Sequence, residues 1–426
     1  MLQVNFIRQN KERVLQGLKT RNFKDEQLGI IDEILALDET RKETQTELDH
    51  LRNEINSISK EIGGLFKSGN AAEANAKKSE VSAIKEKMAG VEEKMNTATD
   101  TLEALLLKVP NVPHPTVPPG NSDEDNEVSK PFEGELPTLD GQAKPHWELA
   151  EEHNLFSLEL GVKIAGAGFP LFRGKGAKLQ RGLINFFLNE AADAGYEEVM
   201  PPLMVNKDTA RGTGQWPDKE GQMYFVEKDD LFLIPTAEVP VTNILRDVIV
   251  KEDDFPIKFT GHTPCFRREA GSYGAHVRGL NRVHQFDKVE IVQFVHPDKS
   301  YEVLQEMCDH VEGLLQKLEL PYRILRLCGG DIGFTSALTF DFEVYSAAQK
   351  RWLEVSSVSN FETYQSNRMK IRFKDKETKK TRLAHTLNGS ALALPRILAA
   401  LMENNQTADG ITIPKVLVPY LGFDKI

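Results

Sequence analysis

Three short runs place residue types that could handle a nucleotide: Cys265-Phe266-Arg267-Arg268-Glu269, Glu354-Val355-Ser356-Ser357, and Asn388-Gly389-Ser390 with Arg396 just beyond. Arginines suit phosphate oxygens, carboxylates suit a metal ion or an ammonium group, and small hydroxyls beside them can complete either set. No Walker-type loop accompanies them. From Gly168 the spacing to Gly174-Lys175 is one residue too long, and Gly176 stands where Ser or Thr must hold magnesium. Gly174-Lys175-Gly176 also lacks the third glycine of a dinucleotide fingerprint. Residues 166–176 therefore read as a turn between strands, and any phosphate must be held by side chains on a sheet.

The elements that position these residues follow from pattern. Apolar or alternating runs predict strands over residues 197–200, 257–269, 284–294, 339–345 and 351–356, with helices over 178–194, 301–318 and 396–405. Many of these strands follow one another without an intervening helix, which implies an antiparallel sheet in an α+β domain beginning near His146. Alternate residues of a strand share a face, so Arg267 and Glu269 should project together, as should Phe286, Lys288 and Glu290 on the next strand. The connection over residues 270–283, rich in Gly, Arg and Ser, is too long for a tight hairpin and reads as a functional loop.

Ahead of this domain, Leu48, Leu51, Ile55, Ile58, Ile62 and Leu65 step by three and four, and Val81, Ile84, Met88, Val91, Met95, Ala98, Leu102 and Leu105 repeat the step. This is a heptad seam. The small polar stretch over residues 68–76 between the runs predicts an antiparallel helical hairpin, an arm on the order of 60 Å long at ~1.5 Å per residue. From periodicity alone, a dimerisation coiled coil or a spacer is the plainer reading. Residues 40–100 hold ten Lys or Arg against eleven Asp or Glu, so the arm is not basic overall, though Lys67, Lys77 and Lys78 cluster at its tip. Pro110-Asn111-Val112-Pro113-His114-Pro115 and Pro118-Pro119-Gly120 then mark an extended connecting segment. The expected division is residues 1–108 for the arm domain, 109–145 for a proline-rich lead-in, and 146–426 for the second domain.

Composition bounds the remainder. The net charge of −11 argues against a uniformly basic nucleic-acid coat, while leaving room for a local phosphate-binding face. Cys265, Cys308 and Cys328 are far apart, without the spacing of a disulfide framework or a zinc site. The first residues lack the apolar core of a signal peptide, and no run approaches a membrane span, so a cytoplasmic protein is expected.

Phe266-Arg267-Arg268-Glu269 resembles motif 2 of the class II aminoacyl-tRNA synthetases. Gly195-Tyr196-Glu197-Glu198-Val199-Met200-Pro201-Pro202 resembles motif 1. Within that class, Pro235-Thr236-Ala237-Glu238-Val239-Pro240, Arg278-Gly279-Leu280, Arg282-Val283-His284-Gln285-Phe286, Glu354-Val355-Ser356-Ser357 and Thr386-Leu387-Asn388-Gly389-Ser390 are similar to the bacterial-type seryl-tRNA synthetases. The resemblance spans essentially the whole chain. It implies an N-terminal tRNA-binding arm and a class II catalytic domain that makes seryl-adenylate from L-serine and ATP with Mg2+, then charges serine tRNA, with charging of selenocysteine tRNA left open.

The resemblance also implies roles. Arg267, Glu269, Glu354 and Arg396 would be catalytic, with Arg267 on the α-phosphate and the serine carboxylate and Arg396 on the γ-phosphate. Phe286 would stack under adenine, with Arg268, Glu269, Val283, Val355 and Ser356 completing the ATP site, while Glu354 and Ser357 would hold Mg2+. Thr236, Ala237, Glu238, Glu290, Asn388 and Ser390, together with Arg267, would form the serine pocket, and Pro202 would lie at a homodimer interface. Two positions depart from the family pattern, Ala391 and Pro395, where glycine is common; Pro395 suits the first turn of a helix that carries Arg396. Two alternatives stand beside this reading. A ligase that charges a carrier protein predicts a missing or shortened arm, and an inactive synthetase-like RNA-binding protein predicts broken motifs.

Overall fold

The computed structural model describes residues 1–139, 143–218, 221–269 and 278–426. Of the loop expected over residues 270–283, residues 270–277 lie outside the described residues. The chain divides into two compact units, residues 1–19 with 23–110, and residues 20–22 with 111–426.

In the first unit the two heptad runs form the helices Ile30–Lys67 and Ala71–Leu106, of 38 and 36 residues. They are antiparallel. Glu47 and Arg52 of the first helix pair with Lys87 and Glu92 of the second, and nearer the turn Glu61 pairs with Lys77. Leu48, Leu51, Ile58, Ala98 and Leu102 are buried, whereas Ile55, Ile62 and Val91 are half-buried, as a seam between only two helices requires. The break is shorter than the composition implied. Only residues 68–70 leave the helix, and the polar stretch from Ala71 onward is helical because Ala and Glu favour it and nothing there forces a turn. At the tip, Lys77 is committed to Glu61 and Lys78 lies 4.6 Å from the centre of the Phe66 ring.

The second unit is built on an eight-stranded sheet. Across it run Glu127–Lys130, Tyr322–Arg326, Leu338–Ser346, Arg351–Asn360, His385–Ala393, Gln285–Val295, Ile257–Phe266 and Glu197–Glu198. Every neighbouring pair is antiparallel except the last, where Glu197–Glu198 runs parallel to Ile257–Phe266. The Gln285–Val295 strand shows how sequence divides the two faces. Val289 and Ile291 join Phe186, Phe187, Met307 and Leu398 in the core beneath the helices Gly174–Asp193, Ser300–Lys317 and Leu394–Asn404. Val292 and Phe294 point the other way, into a second cluster with Phe259, Ile371 and Phe373. Phe286, Lys288 and Glu290 share the face of Val292 and Phe294 but open onto a cavity.

Two expectations need correction. Residues 166–176 are not a turn between strands: Gly166 caps the helix Leu158–Ala165, Leu171–Phe172 is a two-residue strand, and Gly174 begins the helix Gly174–Asp193. Gly176 is used for close approach, since a Cβ there would sit 2.0 Å from the Leu155 carbonyl oxygen. The strand expected to reach Glu269 ends at Phe266. There the ladder finishes with the Arg267 N–H donating to the His284 carbonyl at 2.9 Å; the next amide, of Arg268, turns to the Gln222 carbonyl, and Glu269 adopts a φ of 47°. Arg267 and Glu269 therefore do not share a face by strand alternation. The segment after Pro110 is packed into the unit: Asn111 donates to the Thr335 and Phe361 carbonyls, the His114 N–H donates to the Ala337 carbonyl, and Glu127–Lys130 is an edge strand of the sheet.

Candidate active site

A cavity of about 1020 Å³ opens on the sheet face just described. It gathers Thr236, Glu238, Arg267, Glu269, Val283, Phe286, Glu290, Glu354, Val355, Ser356, Ser357, Asn388, Ser390 and Arg396 from segments spread over more than a third of the chain. Ala237 is fully buried in the apolar cluster behind the cavity and does not line it. Arg268 is exposed and also lies off the cavity wall. Pro202 sits elsewhere, exposed beside Met200, which is 90% exposed.

At one end the arginines are held by backbone carbonyls, which leaves their charge to the cavity. Arg267 Nε donates to the Pro235 carbonyl at 3.3 Å, and its guanidinium lies 5.2 Å from the centre of the Phe286 ring. Pro395 stands in the first turn of the helix Leu394–Asn404, so Arg396 leaves that turn toward the cavity. Its Nε donates to the Asn281 carbonyl at 3.1 Å, and Nη1 donates to the Glu354 carbonyl at 2.7 Å with the Glu354 carboxylate 3.4 Å away. The Ser357 hydroxyl donates to Glu354 at 3.3 Å, and Glu269 receives Arg282 at 3.0 Å.

The other end is buried and acidic. Lys288 and Glu290 form an ion pair at 2.5 Å, and the Thr236 hydroxyl donates to the same Glu290 oxygen at 3.2 Å. Glu290 and Ser390 are directly paired across neighbouring strands, which sets Ser390 against the carboxylate. Thr236 also receives the Glu238 backbone N–H, and Gln365 donates to the Glu238 carboxylate at 2.6 Å while accepting from the Thr386 hydroxyl. Burial and the neighbouring Glu290 push the Glu238 carboxyl up to about 7, against the opposing pull of Gln365, Lys288 and Asn388. Burial raises Glu290 as well, opposed mainly by Lys288.

Sequence reasoning had no role for four of the residues in this geometry. Lys288 was legible, because it alternates with Phe286 and Glu290 on one strand. Gln365 and Asn281 carried no local signal; each matters through contacts made far along the chain. Asp341 is opposite Ser357 in the strand ladder and also lines the cavity. Burial and the nearby Glu354 carboxylate hold its carboxyl well above the usual range, and among the described residues its Oδ1 has no hydrogen-bond partner. Among the described residues no group of three or more His, Cys, Asp and Glu side chains is arranged around a metal. A magnesium ion that keeps its waters and takes phosphate oxygens needs only one or two carboxylates, so Glu354 and Ser357, with the unpartnered Asp341 oxygen behind them, suit one.

Comparison with known proteins bears on both units. The family model for the seryl-tRNA synthetase N-terminal domain matches residues 1–113, and that for the tRNA synthetase class II core domain (G, H, P, S and T) matches residues 224–405. A serine–tRNA ligase of Salinibacter ruber is 50% identical over 427 residues, covering 100% of this chain and 99% of that protein. The crystal structure of a seryl-tRNA synthetase from Pyrococcus horikoshii complexed with ATP superposes with a TM-score of 0.91 at 33% identity, covering 100% of this chain and 99% of the other. A cytoplasmic serine–tRNA ligase from Naegleria fowleri, solved in complex with AMP, superposes with a TM-score of 0.86 at 26% identity over 100% of this chain and 98% of that one.

Proposed function

Because the chain belongs to the seryl-tRNA synthetase family of class II aminoacyl-tRNA synthetases, we propose that the two ends of its cavity divide the work of activating serine. The enzyme joins serine to ATP, releasing pyrophosphate, and transfers the seryl group to tRNA. One observation carries the division: Arg267 reaches both groups, its charge acting on Glu290 in the buried pocket and its guanidinium lying over the Phe286 ring on the open face.

Glu290, with Thr236, receives the serine ammonium and hydroxyl, and Glu238, Asn388 and Ser390 close the pocket. A pocket built of buried hydroxyl and carboxylate groups rejects alanine because it leaves them unpaired, whereas threonine is refused only by lack of room for a methyl. Arg267 bridges the serine carboxylate and the α-phosphate and stabilises charge that gathers at phosphorus as the carboxylate oxygen attacks and pyrophosphate leaves. Phe286 offers its ring to adenine, Glu269, Val283, Val355 and Ser356 border the nucleotide, and Arg396 takes the γ-phosphate. Bound Mg2+ would neutralise phosphate charge, held by Glu354 and Ser357.

The arm domain, residues 1–108, binds serine tRNA, residues 109–145 lead into the catalytic domain of residues 146–426, and the protein works as a cytoplasmic homodimer with the exposed Met200–Pro202 region at its two-fold axis. Among the described residues no helix is long and apolar enough to cross a membrane. A carrier-protein ligase requires a lost or shortened arm, and the 38- and 36-residue helices speak against it. Serine-dependent exchange of pyrophosphate into ATP, followed by charging of purified serine tRNA, tests the reading. Exchange supported by another amino acid in place of serine would overturn it, and a monomer that is fully active in sedimentation would overturn the dimer.

A further inference from the structure

Beneath the nucleotide end of the cavity lies a buried polar pair that the activation chemistry does not use. His146 and Glu403 are both fully buried, and His146 Nδ1 stands 2.6 Å from Glu403 Oε1. The other ring nitrogen, Nε2, accepts the backbone N–H of Leu280 at 2.8 Å, so the ring proton is on Nδ1 and is donated to Glu403. Glu403 is saturated from the far side: its carboxylate also accepts from the His146 backbone N–H, the Ser346 hydroxyl and Gln349 Nε2. Gln349 in turn accepts from Asn281 Nδ2 at 3.0 Å. Two routes thus run from Glu403 to adjacent residues, one through His146 to the Leu280 amide and one through Gln349 to the Asn281 side chain.

The close fit extends to the preceding residue. Gly279 has a φ of 73°, and a Cβ there would fall 2.2 Å from His146 Nε2, so the backbone can reach the imidazole only with glycine at this point. What the two routes hold is the Asn281 carbonyl, which seats Arg396 Nε at 3.1 Å.

We propose that the His146–Glu403 pair is a positioning device: it fixes the Leu280–Asn281 backbone and, through the Asn281 carbonyl, sets Arg396 for the phosphates of ATP. The proposal rests on the assignment of Arg396 to ATP made above. Loss of the imidazole acceptor leaves a buried N–H unsatisfied, and the segment must move to rehydrate it. Arg396 then loses its seat while the serine pocket, built on Thr236, Glu238 and Glu290, is untouched.

Pyrophosphate exchange by the full-length protein tests this. His146→Asn keeps a donor toward Glu403 but removes the acceptor for Leu280, and it should raise KM for ATP ~10-fold while changing KM for serine less than about twofold. His146→Gln, whose amide oxygen reaches the Nε2 position, should restore most of the loss, which a purely structural requirement for histidine would not permit. Arg396→Ala should lose ~100-fold in kcat/KM for ATP, and adding His146→Asn should cost little more, because nothing remains to be seated. Additive losses in the double variant, or equal rises in KM for both substrates, would overturn the relay. A normal KM for ATP in Arg396→Ala would instead overturn the assignment of Arg396, and the relay with it. If His146→Asn fails to fold, Gln349→Leu breaks the second route at a half-buried position; an unchanged KM for ATP in that variant would overturn the proposal.

Discussion

Lys288 and Glu290 are two residues apart on one strand, nearly buried, and joined at 2.5 Å, while Glu238 faces the same lysine as a second carboxylate. Among the described residues the pocket therefore holds two acids against one close cation. Its other charged neighbour, Arg267, pulls weakly on Glu290, and the remaining groups on Glu238, Gln365 and Asn388, are neutral amides. An ammonium group entering the pocket would bring the second positive charge.

This arrangement gives serine binding a pH dependence of definite sign. Glu238 is raised to about 7 in the free protein, and an ammonium beside it favours the ionised carboxylate, so the bound-state value is lower. Serine binding then releases a proton, and affinity rises as pH increases through about 7. Between about pH 5.5 and 6.5, KM for serine should fall up to ~10-fold, with KM for ATP nearly flat. Glu238→Gln should remove the slope. A flat serine profile in the wild type would show that Glu238 does not face the ammonium.

Arg267→Ala should reduce pyrophosphate exchange by ~100-fold or more, corresponding to about 3 kcal/mol of transition-state stabilisation by a preorganised cation. Because the Arg267 side chain is held by a 3.3 Å hydrogen bond to Pro235 and by its contact with the Phe286 ring, the variant should lose only a few degrees of unfolding temperature at most. Near-normal exchange in a folded variant would exclude the role.

Asp341 should show opposite effects on stability and on metal use. Its folded-state carboxyl lies above the unfolded value, so the stability it contributes is complete at low pH and is lost as pH rises through the folded value. Asp341→Asn should therefore raise the melting temperature at pH 8 and have little effect in acid. If the carboxylate supports the Glu354–Ser357 site, the same variant needs ~10-fold more Mg2+ for half-maximal exchange. A variant that gains stability without any change in Mg2+ requirement would place Asp341 outside the metal's surroundings.

Much of this site is legible in the chain because its parts are local: Glu354 and Ser357 lie in one run, and Phe286, Lys288 and Glu290 alternate on one strand. The heptads were equally plain, since burial in a two-helix seam depends only on residues three and four apart. Strand alternation failed at Glu269, where the ladder ends and a positive φ re-aims the side chain, an event decided by Gln222 and His284 far along the sequence. The glycines of residues 166–176 misled in the same way. Gly176 and Gly168 serve close packing against Leu155 and His284, and a local reading takes glycine for a turn. Gln365, Asn281 and the His146–Glu403 pair are silent in sequence because each acts through contacts with partners far along the chain.

The arm offers a separation of the two half-reactions. Its helices pair Glu47 with Lys87, Arg52 with Glu92 and Glu61 with Lys77, so residues near 40 and near 100 lie at the same level, and a short linker can replace everything between them. The activation cavity is lined entirely by residues beyond Pro119, so adenylate synthesis should survive the deletion. Charging of serine tRNA should fall, chiefly through weaker tRNA binding, and the slope of log affinity against log salt should become shallower as phosphate contacts disappear. The tip gives a finer probe, because Lys78 lies over the Phe66 ring on an ordered surface, while Lys77, paired with Glu61, can exchange that partner for a phosphate. Replacing both with Gln in the full-length enzyme should weaken tRNA binding with no change in pyrophosphate exchange. A truncated, folded protein that charges tRNA as well as the full chain would make the arm a spacer, the plainer reading of its heptads.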